Sequence, residues 1–306
     1  MTQNVEKNRY DKIGVIGAGA WGTALALTAA RAGRTVTLWA REPELAAAMA
    51  KSHENSRFLP GITLPPTIMP TSDLAMAARA DALLLVSPAQ HLRSMLQALT
   101  AVTAEGVPLA LCAKGIELGS GRLLTEILSE TAPNFIPAVL SGPSFAADSA
   151  RELPTAVTIA ATPAVAEGLQ TALSHAAFRP YVSDDIIGVA LGGAAKNVYA
   201  IASGIVDGLG LGESARAALI ARSFAELRRL GEALGARPET LMGLSGLGDL
   251  VLTATSPQSR NYSFGIGIGQ GKRPQDLSAP GAPLAEGAAT APALLIRAKA
   301  EGIELP

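Results

Sequence analysis

Short apolar runs alternate with Ala- and Leu-rich stretches through the first part of the chain. Residues 13–16 form the first run, and the glycine turn Gly17-Ala18-Gly19-Ala20-Trp21-Gly22 follows it. Residues 23–32 read as a helix closed by Gly33 in the left-handed position beyond its end. Residues 35–39 read as a second strand and 43–52 as a second helix. Residues 82–86 are apolar throughout, with Pro88 just beyond. Further strands are predicted at 109–113, 138–141, 156–160 and 178–182. Runs with no polar face suit parallel strands covered on both sides by helices.

The pattern changes near Asp184. No convincing strand follows between Ile187 and Leu234, and residues 188–204 and 214–234 read as helices. The chain is therefore expected to be α/β: a Rossmann-type doubly wound parallel sheet over residues 1–186, then an all-helical second domain over 187–306. Residues 275–283 read as a Pro/Gly-bearing loop.

Composition narrows the class. The 306 residues are 48% hydrophobic and only 4% aromatic, enough for two ordinary cores rich in small side chains. A net charge of −1 argues against a general nucleic-acid binder. The single cysteine, Cys112, lies in an apolar strand and reads as structural. The first residues lack an apolar signal core, and no apolar run approaches a bilayer span, so a cytoplasmic protein is expected. The three histidines are scattered and suggest neither a metal site nor a triad.

The glycine turn matches G-x-G-x-x-G. By itself that is weak, but it follows a strand, opens a helix and precedes a second strand. Gly17 allows the tight turn, Gly19 lets a diphosphate approach the backbone, and Gly22 lets the helix pack on the strand. A dinucleotide is the expected ligand. An acidic residue ending the second strand would bind the ribose 2′-hydroxyl of NAD. Here Arg41 comes first and Glu42 one place late, so a 2′-phosphate is favoured, with NADP ahead of NAD and a plain surface arginine as the alternative.

The remaining motifs carry a resemblance. They are Gly17 to Ala26, His53 to Gly61, Lys114-Gly-Ile-Glu117, Ser141-Gly-Pro-Ser-Phe-Ala146, Leu191-Gly-Gly-Ala-Ala-Lys-Asn197, Gly246 to Thr253 and Ser259-Arg260-Asn261. In this order they resemble the bacterial NAD(P)-dependent glycerol-3-phosphate dehydrogenases over nearly the whole length. The resemblance implies interconversion of sn-glycerol 3-phosphate and dihydroxyacetone phosphate, feeding phospholipid synthesis. Relatives typically run a few helical turns past the position of Pro306, so this chain is expected to be either short or trimmed there. The partners expected are a small phosphate substrate and a nicotinamide cofactor, with a homodimer left open.

Residue roles follow partly from chemistry. Lys196 sits among small residues on a helix, where lost hydration would lower its pKa toward neutrality. The resemblance makes it the proton acceptor; a lysine snorkelling to solvent is the alternative. Lys114 ends a strand where ligands bind in such sheets, and by resemblance contacts substrate and cofactor. Asn197 orients Lys196 or binds a substrate oxygen, or is a packing amide. Ser259, Arg260 and Asn261 offer a hydroxyl, a guanidinium and an amide to a phosphate, against the alternative of a capping serine and a solvated arginine. Asp249 is a substrate contact through a hydroxyl or a lysine, or else a helix cap. By resemblance Gly142 and Ser144 face the substrate. Ala20 (serine in many relatives), Trp21, Phe58, Ala146, Arg260, Leu284 and Glu286 face the cofactor. Two rival readings stand: a dehydrogenase of β-hydroxyacids, and an inactive nucleotide sensor.

Overall fold

The computed structural model describes residues 10–279 and 284–306. Its strands are β1 (Lys12–Ile16), β2 (Thr35–Trp39), β3 (Ile68–Thr71), β4 (Ala82–Leu85), β5 (Pro108–Leu111), β6 (Ile136–Ser141), β7 (Thr155–Ala160) and β8 (Phe178–Ser183). The helices of the sheet region are α1 (Ala20–Arg31), α2 (Pro43–Ser52), α3 (Leu74–Ala78), α4 (Leu92–Thr100), α5 (Leu124–Thr131), α6 (Ala146–Ala150) and α7 (Pro163–Leu173). Among the described residues, helices then follow without a strand: α8 (Ile186–Gly208), α9 (Glu213–Ala233), α10 (Pro238–Met242), α11 (Asp249–Thr255), α12 (Arg260–Gly269), α13 (Pro274–Leu277) and α14 (Glu286–Ala300).

The strands form one sheet in the order β3-β2-β1-β4-β5-β6-β7-β8. All neighbours are parallel except β6 and β7, which run antiparallel. The doubly wound parallel sheet expected from the apolar runs is present, with that one antiparallel pair inside it. β1 lies between β2 and β4, so strand order reverses there, and a crevice opens beyond the carboxyl ends of β1 and β4.

The apolar runs are explained by two cores. Along β4, Ala82 and Leu84 join Val15, Val36, Leu38 and Leu169 on one face of the sheet. Leu83 and Leu85 join Ile16, Leu96, Leu111 and Ile127 on the other. Each residue of this strand is buried because both faces are covered. A third core unites Leu191, Tyr199, Leu227, Leu241, Leu250 and Leu294 in the helical region.

Helix α8 is the axis of that region and packs against α9, α11, α12 and α14. It is long and apolar enough to cross a membrane by length and composition, yet 67% of its apolar window is buried inside the protein. Its fit against α12 depends on glycines on both helices. A β-carbon on Gly204 would stand 2.1 Å from the carbonyl oxygen of Tyr262, and one on Gly265 2.1 Å from that of Ile201. Both distances are far inside van der Waals contact, so the two backbones touch directly. This seam sets the start of α12 beside the middle of α8.

The loop expected at 275–283 is partly helical, since α13 covers Pro274–Leu277. Residues 280–283 of it lie outside the described part.

Candidate active site

The glycine turn joins β1 to α1 at the crevice. Gly17 has φ +121°, which only glycine adopts without strain. A β-carbon on Gly22 would lie 1.8 Å from Gly17 O, so helix and turn can meet only at glycine. By contrast, a β-carbon on Gly19 would meet nothing within 4 Å. That openness is where a ligand can approach the backbone. Gly19 is the N-cap of α1, and the first turn of α1 carries no acidic residue. The helix presents uncancelled N–H groups and a positive dipole end, which suits a diphosphate.

A cleft of about 580 Å³ runs from this turn to the helices. Its wall brings together Gly17, Gly19, Ala20, Trp21, Gly22, Arg41 and Phe58 from the sheet side. Lys114, Ser144 and Ala146 line its middle, and Lys196, Asn197, Ser259, Arg260, Asn261, Leu284 and Glu286 its far side. These residues span most of the chain, and the fold collects them in one place. Volume, glycine cradle and helix terminus together fit a dinucleotide.

Two expected contacts sit behind that wall. Gly142 does not line the cleft; its carbonyl accepts a hydrogen bond from Lys114 Nζ at 3.1 Å. Asp249 is fully buried, and its two carboxylate oxygens accept from Lys114 Nζ and Lys196 Nζ, each at 2.6 Å. It meets the cleft's two lysines, one of the two forms expected for its contact with substrate, and it caps no helix; α11 has Gly248 as its N-cap.

Lys196 is 6% exposed, so it does not snorkel to solvent. Its ammonium also donates to Thr253 Oγ1 at 2.8 Å. Burial brings its pKa down from 10.5 to about 8; the Asp249 carboxylate opposes that fall and the charge of Lys114 assists it. Thr253 was not singled out in the sequence. It lies one helical turn after Asp249, so both face Lys196 from the same side of α11.

Asn197 and Asn261 form a second buried set. Asn261 Nδ2 donates to Asn197 Oδ1 at 3.0 Å, and Asn261 Oδ1 accepts from the backbone of Gly287 at 2.8 Å. Together these bonds tie α8, α12 and the start of α14. Ser259 is the N-cap of α12, accepting from Tyr262 N at 3.2 Å, so the capping alternative for this serine is realised. The Arg260 side chain is exposed at the mouth and makes no hydrogen bond among the described residues. Glu286 begins α14, and burial raises its pKa despite Lys114, Lys196 and Arg260 nearby.

At the other end, Arg41 is 74% exposed and pairs with Glu42 at 2.8 Å. The guanidinium of Arg57 lies 5.0 Å above the Phe58 ring. Cys112 is buried, and burial pushes its thiol pKa up, which agrees with an inert structural thiol. Among the described residues no group of three or more His, Cys, Asp or Glu side chains could hold a metal.

Comparison with known proteins places this arrangement. Residues 12–166 match the model of the NAD-dependent glycerol-3-phosphate dehydrogenase N-terminus, and residues 185–306 that of its C-terminus. The chain is 58% identical to a glycerol-3-phosphate dehydrogenase [NAD(P)+] of Parvibaculum lavamentivorans over 97% of this chain and 90% of the relative. It is 59% identical to one from Rhodopseudomonas palustris with the same coverage. The crystal structure of glycerol-3-phosphate dehydrogenase from Coxiella burnetii aligns with a TM-score of 0.92 at 38% identity, covering 98% of this chain and 92% of that one. Motif order, fold and a shared cleft agree: the chain belongs to the NAD-dependent glycerol-3-phosphate dehydrogenase family.

Proposed function

We infer that the chain is an oxidoreductase interconverting sn-glycerol 3-phosphate and dihydroxyacetone phosphate, with NADP or NAD as hydride carrier. The observation that carries the chemistry is the buried ammonium of Lys196, facing the glycine turn across one cleft with its pKa near 8. A base that exchanges its proton close to neutrality serves both directions. The nicotinamide, when bound, supplies or takes the hydride.

In alcohol oxidation, Lys196 Nζ takes the hydroxyl proton while the carbinol carbon gives up its hydride and the C=O bond forms. In ketone reduction, the same nitrogen returns the proton to the developing alkoxide. Asp249 and Thr253 hold Nζ in place by two of its three donor positions, leaving the third for substrate. Lys114 brings a second positive charge to the same oxygen, which stabilises alkoxide character. Arg260 and Asn261 suit the substrate phosphate, because a guanidinium beside an amide gives several charge-assisted bonds. Arg41 favours a 2′-phosphate and hence NADP. In this reading residues 1–186 hold the dinucleotide and 187–306 bring the proton-transfer and phosphate groups. The product glycerol 3-phosphate would supply phospholipid synthesis in the cytoplasm.

The test is reduction of dihydroxyacetone phosphate, followed by oxidation of NADPH and of NADH. Turnover with either cofactor supports the reading, and absence of turnover with both opposes it.

A further inference from the structure

Asn55 is fully buried in the loop between α2 and β3, although it is a polar residue flanked by exposed or half-exposed polar neighbours. Its side-chain amide donates to the carbonyl of Ala18 at 2.8 Å and to Thr23 Oγ1 at 2.8 Å. Its own side-chain oxygen accepts from the backbone of Phe58 at 3.2 Å, and its backbone oxygen accepts from Leu59 at 2.8 Å. One side chain therefore joins three things: the glycine turn, the first turn of α1 and the loop that carries Phe58.

The bond to Ala18 has a consequence for the cleft. The peptide linking Ala18 to Gly19 is trans and planar, so its N–H points opposite to its C=O. Anchoring Ala18 O to a buried amide aims the N–H of Gly19 away from the protein interior. That N–H makes no hydrogen bond among the described residues, and the space beside Gly19 is open. A peptide free to rotate would present carbonyl oxygen to an incoming diphosphate for part of the time, and that oxygen repels an anion. Asn55 supplies the donor that holds Ala18 O, beside the backbone bonds of Gly17 N to Trp39 O and Thr23 N to Gly19 O that pin the turn on either side.

We propose that Asn55 is a positioning residue for the dinucleotide: it holds the Ala18–Gly19 peptide with its N–H toward the diphosphate, and in the same contact fixes the loop bearing Phe58. The proposal rests on the reading that the glycine turn binds the cofactor. Asn55 touches neither substrate nor the reacting atoms, so its effect falls on cofactor affinity and leaves the chemical step alone.

The experiment compares wild type, Asn55→Leu and Asn55→Asp. Leu fills the volume without donors. Asp keeps the shape and the acceptor for Phe58 but has no amide donor for Ala18 O. NADPH affinity is read by fluorescence, with steady-state kinetics and thermal melting alongside. Wild type binds NADPH; failure of wild type to bind would overturn the cofactor reading itself. The proposal expects both variants to raise the NADPH KM at least tenfold, with kcat at saturating NADPH and the dihydroxyacetone phosphate KM within about threefold of wild type. If Asn55→Leu does not fold, Asn55→Asp carries the comparison. Cofactor KM within twofold of wild type in a folded variant would overturn the proposal, as would a loss confined to kcat.

Discussion

Lys196 and Asp249 stand 53 residues apart in sequence and 2.6 Å apart in space, with the carboxylate fully buried beneath the ammonium. The same carboxylate holds Lys114, so one anion organises two cations. Burial alone would drive a lysine to the neutral form. The carboxylate restrains that fall and leaves the pKa at about 8.

Replacing Lys196 by alanine removes the proposed proton carrier without touching the glycine turn. Loss of a positioned acid/base typically costs about 10² to 10⁴ in rate. Lys196→Ala is expected to lose turnover by that order while its NADPH dissociation constant stays within a few-fold, measured by stopped-flow kinetics and fluorescence titration. Near-normal turnover would refute the acid/base role.

With Lys196 as the proposed acid/base, its pKa sets opposite pH limbs for the two directions. Oxidation needs the neutral amine, so kcat/KM for glycerol 3-phosphate rises with pH and levels above about 8. Reduction needs the ammonium, so its rate falls as pH rises through the same value. Rates for both directions from pH 6 to 10 should show limbs of opposite sign; limbs of the same sign would contradict the assignment.

Asp249→Asn withdraws the charge that opposes desolvation. The pH limb is then expected to move to lower pH, and reduction at pH 7 to fall by on the order of 10²-fold or more, because Lys196 loses its proton and both lysines lose their anchor. A limb that moves to higher pH would show that the carboxylate acts otherwise.

Gly265→Ala tests the α8–α12 seam. The added β-carbon would fall 2.1 Å from Ile201 O, so the helices must part. Such overpacking typically costs about 1–3 kcal/mol. Urea denaturation should show this loss, and an unchanged midpoint would mean that the helices are not held in contact there.

How much of this was legible in the sequence depends on range. The strands with two apolar faces were readable because burial on both sides leaves no polar position; the expected 82–86 became Ala82–Leu85. β3 was missed. It is a short edge strand with Pro70 inside it and Met69 exposed, so neither alternation nor an apolar run marks it. Helix α4 was also missed, although Leu92, Leu96 and Leu99 give it a buried face at helical spacing. In the site, Gly17 and Gly22 were readable because each answers a local backbone demand, and Gly19 because the spacing of the turn leaves open backbone between them. Asp249 meets Lys114 and Lys196, the lysine form of the contact expected for it, and the carbonyl of Gly142 accepts from Lys114. Asn55 lies inside the motif His53 to Gly61, but the sequence assigns it no role of its own. Its partners Ala18 and Thr23 are more than thirty residues away, and no local pattern reveals that a loop amide is buried against a turn. The cysteine, by contrast, announced its burial through its apolar neighbours.

The most direct test compares dihydroxyacetone phosphate with unphosphorylated dihydroxyacetone, using NADPH at saturation. The two share the carbonyl whose oxygen Lys196 is proposed to protonate and differ in the phosphate assigned to Arg260 and Asn261. The account predicts kcat/KM for the phosphate ester higher by on the order of 10³-fold, the scale of two or three charge-assisted bonds. Equal efficiency on the two would contradict it.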